Sequence, residues 1–220
     1  MEKFYPVLRR TLLFSGIDEG DFGAILSCLG ARFVRFGRGE TILDEGDAAQ
    51  DLGVVLSGSA QVSRTDYRGN RSLMARLGPA DLFAEAFACA GVSAMPVSVT
   101  ALEETDALLI RADRILHACT CACSFHQQLI LNLTRILALK NLSFSRKIEV
   151  TSQRTTREKL LTYLALEARQ AGASSFTIPF DRQELADYLE VERSGLSAII
   201  GKLRQEGVLA CEKNHFTLLR

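Results

Sequence analysis

Features that would place the chain in other classes of protein are missing from its 220 residues. No apolar run approaches the ~20 residues that a membrane-spanning helix needs. The N-terminal MEKFYPVLRR also lacks a hydrophobic signal core followed by a small-residue cleavage site. We therefore expect a cytoplasmic protein without a membrane segment. Hydrophobic residues make up 47% of the chain and charged residues 24%, which is typical of a globular protein with a real core.

Signatures of catalysis are missing as well. The sequence contains no glycine loop of the kind that cradles phosphate, no nucleophile elbow and no paired His/Asp set. The predicted C-terminal domain, of about 70 residues, is also too short for most catalytic domains. These absences argue against an enzyme, and a regulatory domain attached to an enzyme is kept only as an alternative.

Net charge is the third thing that the chain lacks, since 26 basic residues balance 26 acidic ones. This balance at first argues against a nucleic-acid partner. However, residues 1–139 carry 13 basic and 16 acidic side chains, whereas residues 140–220 carry 13 basic and 10 acidic ones. The basic excess lies in the last third of the chain, as expected for a DNA-binding half.

Two short helices joined by a tight turn are predicted within residues 181–207. Asp181 and Glu184 form the sequence pattern of a capping box at the start of the first helix, worth about 1 kcal/mol. The second helix is expected from about residue 193 to 205, with Gly207 at the position of a C-terminal glycine.

The second of these helices has two chemically different faces. Its apolar face contains Leu196, Ile199, Ile200 and Leu203. Its opposite face contains Ser194, Ser197, Ala198 and Gly201, with Arg193 at the edge. A helix with an apolar back and a small, polar, basic-edged front suits the DNA major groove. The alternative is an ordinary helical hairpin with a solvated polar face.

Alternation with a period of two predicts short β-strands between about residues 32 and 112. Glycines recur between these runs, which indicates an antiparallel barrel or jelly roll. A short helix is predicted over residues 18–29 with Asp18 as its cap. After the strands, residues 113–148 are predicted to be helical.

This long helix is apolar on nearly all sides. Its apolar positions are Phe125, Leu129, Ile130, Leu131, Leu133, Ile136, Leu137, Leu139, Leu142 and Phe144. Because such a helix must be covered on most sides, we expect it to pack on the β domain and on a symmetry mate. The prediction is a parallel homodimer through residues 125–144, and the alternative is a helix buried within one domain.

The C-terminal elements together predict a winged helix-turn-helix. Polar residues 147–156 indicate a hinge, and a helix is expected over residues 155–171, ended by Gly172. A short strand at residues 176–180 precedes the two-helix motif. A hairpin with its turn at Lys213-Asn214 follows it.

The order of β-roll, long helix and winged helix-turn-helix resembles the CRP/FNR family of bacterial transcription regulators. The segments that carry the resemblance are LGVVLSGSAQV (52–62), LGPADLFAEAF (77–87) and RQELADYLEVERSGLSAIIGKLRQEGVL (182–209). The implied fold is α+β, with an antiparallel jelly-roll-like β-roll (1–117), a dimerisation helix and hinge (118–149) and a DNA-binding domain (150–220). The resemblance also implies a homodimer that binds two-fold symmetric DNA, responds to a signal in the roll and has RNA polymerase as a partner.

The family's DNA contacts can be carried over by position. Arg182 and Gln183 stand where phosphate contacts stand, and Arg193, Ser194, Ser197 and Ala198 stand where base contacts stand. A bidentate contact of Arg193 to guanine is worth about 1–3 kcal/mol of discrimination. Ser194 replaces an acidic residue of the best-known members and Ala198 a basic one, so the preferred site should differ from theirs. Further phosphate contacts are expected from Lys202, Lys213 and Asn214.

The family's cyclic-nucleotide site is incomplete in this sequence. Members that bind cyclic nucleotides hold the ribose with a Gly-Glu pair and the phosphate with an Arg-Ser/Thr pair. Here the first pair is Ala84-Glu85, and residues 95–100 contain no arginine. A buried phosphate without a cation is poorly compensated, so cyclic AMP is not expected. The predicted pocket for another small molecule comprises Phe83, Ala84, Glu85, Pro96, Val97 and Ser98, unless these side chains only fill the barrel.

A cysteine group indicates a second kind of sensor. No cysteine precedes Cys28, which argues against the N-terminal iron–sulfur cluster of some family members. Cys119, Cys123 and His126 would share one stripe if the segment is helical. They are candidate ligands for zinc, iron or haem, or a thiol switch, with Cys89 as a further thiol. Buried, inert cysteines are the alternative, and so is a DNA-binding protein without any ligand.

Overall fold

The structure is a computed structural model that describes residues 2–65, 71–117 and 124–219. Within these residues the helices run over α1 (Tyr5–Arg10), α2 (Phe22–Cys28), α3 (Glu85–Ala90), α4 (Ala112–Leu116), α5 (Ser124–Thr151), α6 (Thr156–Ala171), α7 (Arg182–Leu189) and α8 (Arg193–Gln205). Short 3-10 turns cover Glu2–Phe4, Leu12–Phe14 and Glu19–Asp21. No helix in the described part of the chain has the length and hydropathy required to cross a membrane.

All strand pairs in the described part of the chain are antiparallel. They run over β1 (Arg32–Phe36), β2 (Thr41–Leu43), β3 (Asp51–Ser57), β4 (Ala60–Thr65), β5 (Arg71–Leu77), β6 (Leu82–Phe83), β7 (Ser98–Ala101), β8 (Thr105–Arg111), β9 (Ser175–Thr177), β10 (Leu209–Glu212) and β11 (His215–Leu218). Their orders are β1-β8-β3-β6, β2-β7-β4-β5 and β10-β11-β9. The predicted α+β fold with an antiparallel roll and a C-terminal helix-turn-helix is confirmed.

The chain divides into two compact units, which we call the N-terminal unit (Met1–Ala138) and the C-terminal unit (Leu139–Arg220). The boundary between them lies inside α5. The three-part division expected from the sequence, with a boundary at residues 117/118, stays a prediction.

Strand β3 organises the core of the N-terminal unit, because its successive side chains point to opposite faces and both faces are covered. Leu52, Val54 and Leu56 lie in a cluster with residues of α1, α2 and α5. Val55 lies in a second cluster with residues of both four-stranded sheets. The five residues Leu52 to Leu56 of β3 are all buried. The run LGVVLSG therefore forms a buried central strand rather than a half-exposed one.

One face of α5 packs on this core. Leu129, Leu133 and Ile136 are at most 5% exposed and belong to the same cluster as Leu52 and Val54. Polar contacts add to the packing, because the buried Asn132 donates from Nδ2 to the carbonyl oxygens of Leu13 (2.9 Å) and Ser15 (2.8 Å). A buried amide with satisfied donors fixes the helix in register with the N-terminal turns.

The long helix predicted over residues 113–148 is interrupted, so that prediction is wrong in its first part. Helix α4 ends at Leu116, and His117 adopts an extended conformation with φ −103° and ψ 129°. Helix α5 runs from Ser124 to Thr151, beyond the predicted end, and residues 118–123 lie outside the described part of the chain. Of the predicted hinge (147–156), only residues 152–155 lie between helices. Val150 is fully buried in the core of the C-terminal unit. A hinge here stays a prediction.

Local signals explain most of the element boundaries in the C-terminal unit. Thr155 and Glu158 form a capping box at the start of α6, and Gly172 ends α6 with φ 64°. In the N-terminal unit the predicted cap Asp18 makes no side-chain capping bond, and α2 starts only after a 3-10 turn. Helices α1 and α3 and the two-residue strand β6 were not anticipated.

Candidate nucleic-acid interface and effector region

Helix α7 is fixed at both ends by groups that the sequence encodes locally. Glu184 donates its backbone N–H to Asp181 Oδ1 at 2.8 Å, and Asp181 donates its own to Glu184 Oε2 at 2.8 Å. Leu185 and Leu189 are buried, and Glu190 ends the helix in the left-handed region with φ 55°. The predicted capping box and first helix are confirmed.

Helix α8 separates an apolar face from a polar one as the sequence predicts. Leu196, Ile200 and Leu203 are at most 4% exposed and belong to the core of the C-terminal unit. Ile199, also predicted on the apolar face, is half-buried. The exposed residues of the helix include Arg193, Ser194, Ser197, Ala198 and Lys202. The small polar side chains and the guanidinium are thus presented together on one surface.

The start of α8 is weakly capped. Glu192 occupies the N-cap position without a side-chain capping bond. Gly195 and Gly201 each cost a helix about 1 kcal/mol relative to alanine. Packing of the apolar face must therefore stabilise α8.

Two cations on α6 help to hold the helix pair, and sequence analysis missed both. Lys159 donates from Nζ to the carbonyl oxygen of Leu189 at 3.1 Å, at the end of α7. Arg157 pairs with Glu206 at 2.7 Å, just beyond α8, and this hydrogen bond holds the pKa of Glu206 below its ordinary value. Their partners lie 30 or more residues away in sequence, so no local pattern could have revealed them.

The wing is the hairpin of β10 and β11, with Lys213 and Asn214 at its turn as predicted. Lys213 is exposed and has φ 52°. Asn214 donates from Nδ2 to the carbonyl oxygen of Ile178 at 3.0 Å, and Arg182 donates from Nη2 to the carbonyl oxygen of Lys213 at 3.2 Å. Two of the predicted phosphate contacts, Arg182 and Asn214, therefore have partners inside the protein.

Gln183 also has an internal partner, because its amide donates to Asp187 Oδ1 at 2.8 Å within α7. This bond lies on the exposed surface of the helix. Of the predicted phosphate contacts, Lys202 and Lys213 have the exposed cationic side chains that such a contact requires.

The first predicted pocket segment joins β6 to α3. Phe83 is 2% exposed and lies among residues of both sheets. Its ring covers Gly53 so closely that a Cβ built at position 53 would lie 2.0 Å from Phe83 Cζ. Ala84 is left-handed, with φ 60°, and starts α3. Glu85 follows and is 3% exposed. Burial of the Cys89 thiol raises the pKa of Cys89, and the charge of Glu85 raises it further.

The second predicted segment leads into β7. Val97 is 4% exposed in a small cluster with Met95 and Ala49, and Ala84 packs against this cluster. The structure thus brings Ala84 and Val97 of the two predicted segments together. Phe83 lies in the other cluster between the sheets, and Pro96 is exposed.

The side chain of Ser98, which would face a phosphate, is engaged with an acidic turn. Its hydroxyl donates to Asp44 Oδ1 at 3.3 Å and accepts from the backbone N–H of Glu45 at 3.2 Å. A carboxylate beside this hydroxyl disfavours an anionic ligand.

The predicted metal group is only partly described. Cys119 and Cys123 lie outside the described residues. His126 is 5% exposed and has Nε2 2.8 Å from the carbonyl oxygen of Arg114, while its buried Nδ1 has no hydrogen-bond partner among the described residues. No cluster of three potential metal ligands occurs within residues 2–65, 71–117 and 124–219. The metal site stays a prediction.

Comparisons with known proteins agree with this architecture. Residues 33–120 match the family model of the cyclic nucleotide-binding domain, and residues 158–220 match that of the Crp-like helix-turn-helix domain. Together the two matches cover more than half of the chain. Both domains occur in the order predicted from the sequence.

Relatives of similar length are transcription regulators. The transcriptional activator protein FnrA of Stutzerimonas stutzeri is 24% identical over 83% of this chain and 74% of its own. The cyclic AMP receptor protein of Thermus thermophilus is 27% identical over 90% of this chain and 87% of its own. These relatives confirm the prediction that the chain is a regulator and not an enzyme.

Solved structures show the same fold. The c-di-GMP responsive global regulator CLP of Xanthomonas campestris is 17% identical, with a TM-score of 0.57 over 92% of this chain and 100% of its own. With the roll, the helix-turn-helix and both family models in agreement, this chain belongs to the CRP/FNR family of DNA-binding transcription regulators.

Proposed function

We propose that the chain is a homodimer that binds an inverted-repeat DNA site through α8 and changes its DNA affinity in response to a signal in the N-terminal unit. The observation that carries this proposal is the two-faced α8. Leu196, Ile200 and Leu203 anchor it, so that Arg193 and the small residues beside it are exposed as one surface. A helix exposed in this way fits the major groove.

The proposed base contacts are Arg193, Ser194, Ser197 and Ala198. Arg193 is the residue that can bind a guanine O6 and N7 with two hydrogen bonds. Ser194 and Ser197 can donate or accept, and Ala198 offers a methyl contact to thymine. Lys202 and Lys213 supply phosphate contacts, with Gln183 beside them as a neutral one.

The dimer is supported by apolar side chains that α5 leaves in solvent. Leu131 and Leu142 are 57% and 58% exposed. They lie about three turns apart on one side of α5, opposite the buried Leu129 and Leu133. Exposed leucines in line on a helix favour association with a second copy, and a parallel pair would present two α8 helices to successive major grooves.

The sensor is proposed to respond to something other than cyclic AMP. Residues 95–100 supply no cation, and the hydroxyl of Ser98 is hydrogen-bonded to the carboxylate of Asp44. Both features disfavour a phosphate at the position where the family's cyclic-nucleotide site would hold one. A small molecule bound near Ala84 and Val97 would meet mainly apolar side chains.

The N-terminal unit is alternatively proposed to sense a metal ion or a redox signal. The buried Nδ1 of His126 supports it, because Nε2 lies at hydrogen-bonding distance from a backbone carbonyl, as in many histidine ligands of metals. Metal analysis of anaerobically purified protein tests the idea, with Cys119→Ser as control. No bound metal, together with unchanged DNA affinity under oxidant, would remove it.

The alternative function is a DNA-binding protein whose affinity is constant. The burial of Phe83 and Val97 favours it, since these side chains fill the region where an effector would bind. DNA affinity that stays the same across cell extracts and candidate effectors would support this alternative. We also propose RNA polymerase as a partner and the cytoplasm as the location.

Selection of bound duplexes from a random pool tests the main proposal. We expect an inverted repeat with half-sites about one helical turn, ~34 Å, apart. Selection with Arg193→Ala should return a repeat that has lost its preference at one base of each half-site. A protein that sediments as a monomer and enriches no repeat would overturn the proposal.

A further inference from the structure

The side chain of Arg182 connects the start of α7 to the wing. It leaves the first turn of α7, and its Nη2 donates to the carbonyl oxygen of Lys213 at 3.2 Å. Its guanidinium carbon lies 5.7 Å from the centroid of the Phe216 ring on β11. A cation over an aromatic face is attracted to it. Both contacts are made to the hairpin that carries the wing turn.

The wing turn needs such support because of its backbone. Lys213 has φ 52°, in the left-handed region that costs a residue other than glycine about 1–2 kcal/mol. A conformation of this kind persists where its surroundings hold it. Arg182 donates to the carbonyl of this same residue. On the other side of the turn, Ile178 and Asn214 exchange two hydrogen bonds, each 3.0 Å long.

The guanidinium is also poorly placed to bind DNA directly. Its Nη1 is buried and has no hydrogen-bond partner among the described residues, and its Nη2 is occupied by the wing carbonyl. A phosphate oxygen in solvent therefore has no direct access to Nη1. Lys213, by contrast, is exposed at the turn of the hairpin.

We propose that Arg182 is a positioning residue that holds the wing turn, so that Lys213 and not Arg182 contacts the DNA phosphate. The proposal rests on the proposed binding of DNA by α8 and the wing. It predicts that loss of Arg182 acts on DNA binding through Lys213. A direct phosphate contact would instead act independently of Lys213.

A double-mutant cycle on the full-length protein separates these two roles. The variants are Arg182→Gln, Lys213→Gln and the double variant, and the probe is a fluorescent duplex that carries the repeat enriched in the selection, or a random-sequence duplex if none is enriched. The measured quantity is the slope of the logarithm of the binding constant against the logarithm of salt concentration. Each phosphate contact contributes about 0.9 to this slope, so a dimer that loses Lys213 loses about 2.

We expect Arg182→Gln to reduce the slope by no more than Lys213→Gln does, and the double variant to match Lys213→Gln. If the double variant loses about 2 more than Lys213→Gln, Arg182 is a phosphate contact in its own right and the positioning role is overturned. A wild-type protein that binds neither probe would instead count against the proposed DNA binding.

Amide hydrogen exchange in the free protein gives a readout that does not depend on DNA. Arg182→Gln should speed exchange of the β10–β11 hairpin amides about tenfold or more, because a hydrogen bond from a charged donor is lost. Lys213→Gln is the matched control, since it also removes one cation but keeps the hydrogen bond from Arg182 to the carbonyl of residue 213, and it should leave exchange unchanged. Equal exchange in wild type and Arg182→Gln would overturn the proposal even if the slopes agree with it.

Discussion

The two units of the chain differ in how they present their candidate functional residues. In the C-terminal unit, Arg193 and Ser194 are exposed on α8 while Leu196, in the same helix, is buried. In the N-terminal unit, the candidate pocket residues Phe83 and Val97 are themselves core side chains. One helix with a period of 3.6 residues can create a binding surface, whereas a pocket needs neighbours from several strands. The difference explains why the exposure of the candidate DNA contacts on α8 could be predicted from the sequence, whereas the burial of the candidate pocket residues could not.

Helix α5 contributes to both units, and its exposed leucines give the prediction with the largest effect. We expect the double substitution Leu131→Glu, Leu142→Glu to abolish dimerisation, because two charges would enter the apolar contact between copies. Affinity for the inverted repeat should fall about 100- to 10,000-fold, as when two linked binding sites are separated. Sedimentation and fluorescence titration measure the two effects.

The matched control is Leu12→Glu, which places a charge on another exposed leucine of the N-terminal unit. This variant should keep the wild-type mass and affinity. A double variant that still sediments as a dimer would show that α5 is not the contact between copies.

Arg193→Ala gives the next largest effect and is confined to the C-terminal unit. We expect a loss of about 1–3 kcal/mol per half-site for the preferred sequence, because a bidentate contact to a base is removed. Binding to random duplex should fall much less. Lys202→Ala is the comparison, since loss of a phosphate contact should weaken binding to both duplexes alike. Equal losses for Arg193→Ala on both duplexes would contradict base recognition.

The two units also differ in helix capping, which should affect the free energy of unfolding. Asp181→Ala removes the acceptor of a 2.8 Å capping bond and should cost about 1 kcal/mol of unfolding free energy. In a chain of this length that corresponds to a fall in Tm of about 2–4 °C. Asp18→Ala should leave Tm within about 1 °C, because Asp18 makes no capping bond. Calorimetry checks both, and equal shifts would contradict the assignment of the caps.

The smallest expected effect concerns the N-terminal unit and cyclic AMP. Addition of the nucleotide at millimolar concentration should leave Tm unchanged, because no cation in residues 95–100 compensates the phosphate and Asp44 accepts the bond from Ser98. A ligand at a hundred times its Kd would add about 2.7 kcal/mol and raise Tm by several degrees. A rise of that size would restore cyclic AMP as the effector.

Much of the fold could be predicted because its determinants are local. The capping box of Asp181 and Glu184, the glycine after α6 and the two-faced α8 each depend on residues within a few turns of one another. The extended conformation of His117 could not be predicted, because the sequence around it keeps the apolar spacing of a helix. No glycine or proline stands at this position to indicate the end of a helix. Helix α3 could not be predicted either, because it has only six residues and no side-chain cap.

The candidate site shows the same limit. Exposure of Arg193 follows from periodicity, but the internal partners of Arg182 and Asn214 are 31 and 36 residues away. Ser98 meets Asp44 across 54 residues. Contacts over such distances in sequence form only when the chain folds. The sequence therefore predicts a phosphate contact for Arg182 from its position in the motif but does not reveal its hydrogen bond to the wing.

The ring of Phe83 over Gly53 constrains how this protein can diverge. A side chain at position 53 would collide with that ring. A larger residue at 53 becomes tolerable only together with a smaller one at 83. In homologous lineages, a residue larger than glycine at position 53 should therefore occur together with a residue smaller than phenylalanine at position 83.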